Sequence, residues 1–170
     1  MKLIEAMKRL RVIEKRMEKN VEYINRYAST ISSDKPLFDT EEKQRREVKA
    51  LIQSNQDLMN EYLILKKKIE STNLSTVVSM GGFSYTISDL LVIKRRLAKL
   101  MMATFEALNE NQGRQREKFS AVGPDGKRPY VVRFYNEEER NEGLRKWQEL
   151  ADNIDSRLEV LNAMTTIVNE

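Results

Sequence analysis

The feature that most constrains this chain is a pair of apolar heptad patterns in its first 70 residues. The first set is Leu3, Leu10, Met17, Ile24 and Ile31, with Met7, Val21 and Ala28 at complementary positions and Glu14 as an exception. The second set is Val48, Leu51, Asn55, Leu58, Tyr62, Leu65 and Ile69. Heptads sustained over this length predict two long helices that pack through narrow seams.

A short polar break between the two patterns predicts that the helices fold back on each other. Ser32 to Pro36 is rich in residues that disfavour helix. Asp39 and Glu42 have the spacing of a capping box, so we expect the second helix to begin there. Residues 1–72 are therefore predicted to form an antiparallel helical hairpin. Asn55 lies within the second seam and is a polar residue of the kind that fixes helix register.

Glycine and small polar residues follow the predicted hairpin. Residues 73–86 are predicted to form a polar corner, because Gly81 and Gly82 permit backbone geometry that other residues avoid. A third helix is predicted over residues 87–113, with Gly113 as its C-terminal cap.

The pattern changes after the third helix. Residues 114–135 contain two β-prone runs, Phe119–Val122 and Tyr130–Tyr135, and the turn-forming residues between them predict a β-hairpin. Asn136 is a candidate cap for a C-terminal helix over 136–170. The seam of that helix is Leu144, Trp147, Ala151, Ile154, Leu158, Leu161, Thr165 and Val168. The predicted fold class is mainly α: one domain with a long coiled-coil-like αα-hairpin, two further long helices and one β-hairpin insert.

Composition excludes several kinds of chemistry. The chain has no cysteine and no histidine, so thiol nucleophiles, disulfides and histidine-based catalysis are excluded. We therefore expect no enzyme activity, no cofactor and no metal site. Charges throughout the N-terminal residues and the lack of a long apolar run predict a soluble, cytoplasmic protein without a membrane partner. Narrow apolar seams are commonly completed by further copies of the chain, so we expect a homo-oligomer.

Positive charge is concentrated between residues 94 and 133. This stretch has ten basic and four acidic residues, a net charge of +6, whereas the whole chain carries +4. Guanidinium groups bind phosphate in a bidentate manner, tyrosine can stack on a base, and glycine amides can hold an anion. The predicted ligand-binding residues are Thr72, Asn73, Thr76, Gly81, Gly82, Arg95, Arg96, Arg114, Arg116, Arg128, Tyr130, Arg133 and Tyr135.

These residues predict a non-catalytic, homo-oligomeric binding protein that captures a small anionic ligand. A nucleotide is one candidate ligand, and a sequestering or sensing role, for example in a phage protein, suits capture without turnover. The alternative is a structural coiled-coil assembly or adaptor protein, for which the basic stretch is a solvated surface. Nucleic-acid binding is a third and less favoured hypothesis, because the helices mix acidic and basic residues freely.

Short motifs distributed along the chain suggest a family. They are Met1-Lys2-Leu3 with Glu5-Ala6, Ile69 with Thr72-Asn73 and Thr76, Gly82, Thr86-Ile87-Ser88-Asp89 with Leu91, and Asp155 with Leu158, Leu161-Asn162 and Thr165. In this order the motifs resemble the septicolysin-like family. Lys94-Arg95 departs from the Arg-Asp pair of that pattern, and Ala163 departs from its tryptophan. The resemblance implies a helical build and assigns no function.

Overall fold

The computed structural model describes residues 1–168, which fall into two compact units. The first unit comprises Met1–Thr86 together with the chain from Val160 onward, and the second comprises Ile87–Glu159. The fold is mainly α, as predicted. Residues 169 and 170, the end of the predicted C-terminal helix, lie outside the described residues. No helix within residues 1–168 is long and apolar enough to span a bilayer.

Two long helices dominate the first unit. Helix α1 comprises Leu3–Tyr27 and helix α2 comprises Glu41–Ser75. The N-cap of α2 is Thr40, whose hydroxyl accepts a hydrogen bond from the Lys43 amide at 3.2 Å. The predicted cap, Asp39, is instead a turn residue with φ of +66°. An aspartate tolerates this left-handed geometry better than most side chains, so the turn ends one residue later than predicted.

Side-chain contacts establish that α1 and α2 are antiparallel, as predicted. Near the start of α1, Arg9 pairs with Glu61 at 2.6 Å. At the end of α1, the Tyr27 carbonyl accepts a hydrogen bond from the buried amide of Gln44 at 2.8 Å. Contacts therefore move towards the start of α2 as α1 advances.

The seam of α1 follows the predicted one in part. Its buried and half-buried residues are Leu3, Ala6, Met7, Leu10, Ile13, Met17, Asn20, Tyr23, Ile24 and Tyr27. The predicted complementary residues Val21 and Ala28 are exposed, and so is Glu14. The complementary seam positions lie one residue earlier than predicted, so Ile13 is buried in place of Glu14. Glu14 therefore lies outside the seam and is not an exception within it.

An amide pair lies within the seam. Asn55 is half-buried, as predicted, and its side-chain oxygen accepts a hydrogen bond from Asn20 Nδ2 at 2.9 Å. Asn55 Nδ2 donates to the Met17 carbonyl at 3.3 Å. Because each amide needs a partner when it is removed from water, sliding α1 along α2 would leave both groups unsatisfied.

The predicted polar corner 73–86 is the site of the β-hairpin. Strand β1, Val77–Met80, pairs antiparallel with strand β2, Phe83–Thr86. The connecting residues Gly81 and Gly82 have φ values of +59° and +82°. Two consecutive positive φ values characterise the type I′ turn, whose twist matches that of paired strands.

The two ends of the described chain meet in the first unit. Lys2 and Thr166 form an isolated antiparallel bridge. The buried Thr72 hydroxyl joins this region to α2: it donates to the Lys68 carbonyl at 2.7 Å and accepts from the Val168 amide at 3.0 Å. The unit therefore closes through segments far apart in sequence.

The second unit begins with a continuous helical stretch. Helix α3, Ile87–Val92, passes into a π-helical turn, Ile93–Leu97, and then into helix α4, Ala98–Glu106. The predicted third helix over 87–113 therefore ends earlier than expected. Helix α5, Asn111–Phe119, follows after a short break and includes the glycine that was predicted as a C-cap.

The β-hairpin predicted over residues 114–135 was wrong. Its first predicted strand starts at Phe119, which belongs to α5, and residues 120–136 have no regular secondary structure. Only a tight turn forms at its centre, where the Gly123 amide donates to the Lys127 carbonyl at 2.9 Å. Arginine, glutamine, glutamate and lysine before Phe119 are good helix formers, so α5 extends to Phe119, the first residue of the predicted strand.

Helix α6, Glu137–Met164, follows this segment. Asn136 caps it as predicted, because its side-chain oxygen accepts hydrogen bonds from the Glu138 and Glu139 amides at 2.8 and 3.1 Å. Ile154 and Leu158 of the predicted seam are buried, whereas Trp147 is only half-buried.

We expect Thr72→Val to lower the free energy of unfolding by about 1–2 kcal/mol, because an apolar side chain of similar shape leaves the Val168 amide without its acceptor. Thr72→Ser keeps the hydroxyl and serves as the matched control. Urea unfolding followed by circular dichroism measures both. Equal stability of Thr72→Val and Thr72→Ser would contradict a role for this hydrogen bond.

Candidate functional site

The predicted site residues on the first unit surround the end of α2 and the β-hairpin. Thr72 is buried, and its hydroxyl already makes the two intramolecular hydrogen bonds described above. Asn73 and Thr76 are half-buried, and the Thr76 amide donates to the Thr72 carbonyl. Gly81 and Gly82 are exposed at the hairpin turn. Thr72 therefore contributes to the packing of this unit.

Several predicted site residues on the second unit are exposed and separate. Arg95 and Arg96 belong to the π-helical turn, Arg116 to α5 and Arg128 to the irregular segment. None of these four makes an ion pair within residues 1–168. Tyr130 is 80% exposed.

Arg114 and Arg133 share one carboxylate. Arg114 Nη2 lies 2.6 Å from Glu110 Oε2, and Arg133 Nε donates a short hydrogen bond to Glu110 Oε1. Arg133 Nη1 also donates to Glu137 Oε2 at 2.7 Å. We call Glu110, Arg114, Arg133 and Glu137 the Glu110 cluster. Its members come from the start of α5, the irregular segment and the start of α6.

The cluster fixes the charge state of its members. Hydrogen bonds from Arg133, and then from Arg114, hold the pKa of Glu110 below its ordinary value of 4.5, although burial opposes this shift. The same hydrogen bond raises the pKa of Arg133. Only 15% of the Glu110 side chain is exposed. The central carboxylate is therefore ionised and largely removed from solvent by its two partners.

A depression of about 260 Å³ opens beside the cluster. Its lining residues are Leu108, Asn109, Glu110, Asn111, Arg114, Arg133, Tyr135, Glu137 and Arg140. Arg140 adds a third guanidinium group, whose Nε is buried and makes no hydrogen bond within residues 1–168. The structure thus brings together three of the predicted residues, Arg114, Arg133 and Tyr135.

Local backbone features position these side chains. The Glu110 carbonyl accepts a hydrogen bond from the Arg114 amide at 2.9 Å, which places both residues at the first turn of α5. A Cβ on Gly113 would lie 2.8 Å from Val131 Cγ1, so only glycine allows the segment that carries Arg133 to approach α5 this closely. The Asn136 cap fixes the start of α6.

The sequence analysis missed three charged residues that line this depression, namely Glu110, Glu137 and Arg140. The spacing of four residues between Glu110 and Arg114, and between Arg133 and Glu137, is a signal for helical ion pairs that could have suggested both contacts. Arg140 follows three glutamates and gives no sequence signal of its burial.

Larger depressions belong to the first unit. One of about 690 Å³ surrounds the turn between α1 and α2, and one of about 550 Å³ lies beside Met1, Arg9 and Lys68. Acidic residues line each of them, and neither brings three arginines together. Within the described part of the chain, no group of three or more acidic side chains is placed to hold a metal ion.

Comparison with known proteins adds no assignment. No protein-family model matches the chain, and neither the curated proteins nor the solved structures provide a match. The resemblance to the septicolysin-like family therefore stays a prediction from short sequence motifs.

We expect Glu110→Gln to lower the free energy of unfolding at neutral pH and to reduce its pH dependence. The native pKa of Glu110 is depressed, so its stabilising effect is full above about 4.5 and is lost as the pH falls through the lower native value. The difference between wild type and variant should shrink in that acidic range.

Denaturant unfolding at several pH values tests this expectation, with Glu149→Gln as the control. Glu149 pairs with Arg145 on α6 in an exposed ion pair, which contributes little to stability. A pH-independent difference for Glu110→Gln would show that its charge does not stabilise the fold.

Proposed function

We propose that this chain is a non-catalytic, self-associating protein that captures a small anionic ligand in the depression beside the Glu110 cluster. The observation that carries this proposal is the convergence of Arg114, Arg133 and Arg140 on one depression. These arginines are contributed by three separate parts of the second unit. Planar guanidinium groups match the oxygen spacing of phosphate, which favours a phosphate-bearing ligand.

Unused hydrogen-bond donors support the proposal. A guanidinium group has five N–H donors. Arg133 uses donors on Nε and Nη1, and Arg114 uses donors on Nε and Nη2. Arg140 donates through Nη1 to Asn141, while its buried Nε has no acceptor within residues 1–168. Each arginine therefore keeps donors for an additional anion.

The two carboxylates limit and organise this site. Glu110 and Glu137 leave a net charge of +1 among the five charged side chains of the lining. They also hold Arg133 in a fixed orientation, so less side-chain entropy is lost when a ligand binds.

The size of the depression restricts the ligand further. Sites for drug-sized molecules usually have about 300–1,000 Å³, and this depression has about 260 Å³. A phosphate or sugar-phosphate group fits such a volume, whereas the base of a nucleotide would extend beyond it. The absence of histidine and cysteine from the sequence supports capture without chemistry.

A second candidate function is assembly or adaptor activity without a small ligand. The thin core of the second unit favours it, since the buried apolar residues there are Ile87, Leu90, Ala98, Ile154 and Leu158. Large side chains of the same unit are more than 40% exposed, namely Val92, Leu97, Leu100, Phe119, Val122, Tyr130, Val132 and Phe134. So much apolar exposure is typical of a surface that packs on a partner.

We expect an anion from a panel of inorganic phosphate, nucleotides and dinucleotides to raise the melting temperature. Arg133→Ala should weaken binding about tenfold or more in calorimetry, because it removes charge-assisted donors. Arg145→Ala is the matched control, since this arginine pairs with Glu149 on α6 and does not line the depression. Equal binding by both variants would place the ligand elsewhere, and no binding across the panel would favour the assembly function.

Self-association is tested separately. We expect light scattering to give a mass that is a multiple of 19.9 kDa at micromolar concentrations. A monomer at every concentration would contradict this part of the proposal without affecting the ligand experiment.

A further inference from the structure

We propose that residues 129–135 of one copy pair antiparallel with the same residues of a second copy, around a two-fold axis at Val132. We call this stretch the edge segment. The inference rests on the self-association proposed above and names the surface through which it occurs. The binding partner of the edge segment is thus the same segment of a second copy of this chain.

Exposed apolar side chains recur at every second residue of the edge segment. Tyr130, Val132 and Phe134 are 80%, 55% and 96% exposed. Between them, Val131 is half-buried and lies against Gly113, and Arg133, although exposed, bonds to the Glu110 cluster. A period of two is the pattern of a strand whose inner side packs on its own unit, and pairing would straighten the bend at Phe134 and Tyr135. The outer side carries the aromatic and β-branched residues that strands favour.

The backbone of the edge segment has no strand partner. Within residues 1–168, residues 129–135 make no backbone–backbone hydrogen bond. Such groups form a template for pairing with another chain. Pro129 lacks an amide proton, but it lies near the beginning of the segment, where a strand tolerates proline. This stretch contains the second strand of the predicted hairpin, whose predicted partner, Phe119–Val122, forms no strand.

Charge complementarity identifies a second copy as the occupant and fixes its direction. Lys127 and Arg128 precede the edge segment, and Glu137, Glu138 and Glu139 follow it. An antiparallel pair brings the basic end of each copy towards the acidic end of the other. A parallel pair would bring like charges together, which is unfavourable. A two-fold axis satisfies both ends at once because the interface is self-complementary.

The two-fold axis at Val132 also pairs the aromatic residues. In this register, Tyr130 of one copy lies opposite Phe134 of the other, and the reverse pair forms on the other side of the axis. Cross-strand aromatic pairs of this kind stabilise sheets. The proposal therefore accounts for the outward direction of both rings, which are among the most exposed apolar side chains of the chain.

Val132→Asp tests the interface, with Val12→Asp on α1 as the matched control. Both valines are 55% exposed, so the two variants add the same charge to surfaces of equal exposure. We expect Val132→Asp to raise the dissociation constant of the oligomer about tenfold or more, because a charge would face its own copy across the axis. Val12→Asp should leave the oligomer mass unchanged. Circular dichroism verifies that both variants are folded.

Charge reversal tests the direction of pairing. One variant combines Lys127→Glu with Arg128→Glu, and another combines Glu138→Lys with Glu139→Lys. Each alone should dissociate, because like charges would meet at both ends. An equimolar mixture of the two should recover association, since one copy then presents acidic ends and the other basic ends.

The possible outcomes are distinct. An oligomer that keeps its mass in Val132→Asp and in both charge variants would overturn the proposed interface while self-association stands. Loss of mass in Val12→Asp alone would move the interface to α1. A wild-type chain that is monomeric throughout would overturn both proposals and leave the edge segment to a different partner.

Discussion

The register of α1 on α2 is the constraint on which the first unit depends. The seam between these helices is mostly apolar, and apolar contacts alone tolerate sliding by a helical turn. The amides of Asn20 and Asn55 remove this freedom, because their hydrogen bonds form at only one relative position. Gln44 acts similarly near the turn, where its side chain bonds to the Tyr27 carbonyl and the Leu37 amide. Polar groups thus specify an alignment that the apolar residues stabilise.

Ion pairs hold the irregular segment of the second unit in place. Glu110, at the start of α5, pairs with Arg114 of the same helix and with Arg133 of the irregular segment, and Glu137 extends the contact to α6. A carboxylate in this position satisfies the guanidinium groups and orients them at the same time. The feature that holds the segment in place is therefore also the feature that defines the candidate anion site. Arg133 therefore belongs both to the contact that holds the segment and to the candidate anion site.

Much of the fold could be predicted from the sequence, and the failures have local causes. Periodicity identified the αα-hairpin and α6, because a seam repeats many times and a single error does not change the result. The β-hairpin was assigned to residues 114–135 instead of 77–86. A two-residue Gly81-Gly82 turn is a stronger hairpin signal than a long loop with Gly and Pro, since both positive φ values come at no steric cost.

The candidate site was predictable only in part. The local excess of arginine indicated Arg114 and Arg133, but their carboxylate partners depend on how α5, the irregular segment and α6 approach one another. Gly113 permits that approach by omitting a side chain, and nothing in its neighbourhood of the sequence reveals the contact with Val131. Tertiary proximity of this kind has no periodic signature.

The bridge between Lys2 and Thr166 has a consequence for biosynthesis. The ribosome makes the first part of the first unit, then the whole second unit, and then the remaining residues of the first unit. Helices α1 and α2 emerge early, yet the Val168 amide that reaches Thr72 is made more than 90 residues later. Vectorial synthesis therefore lets the second unit fold before the first is complete, because the Thr72 hydroxyl receives its hydrogen bond from Val168 only after the end of the chain is made.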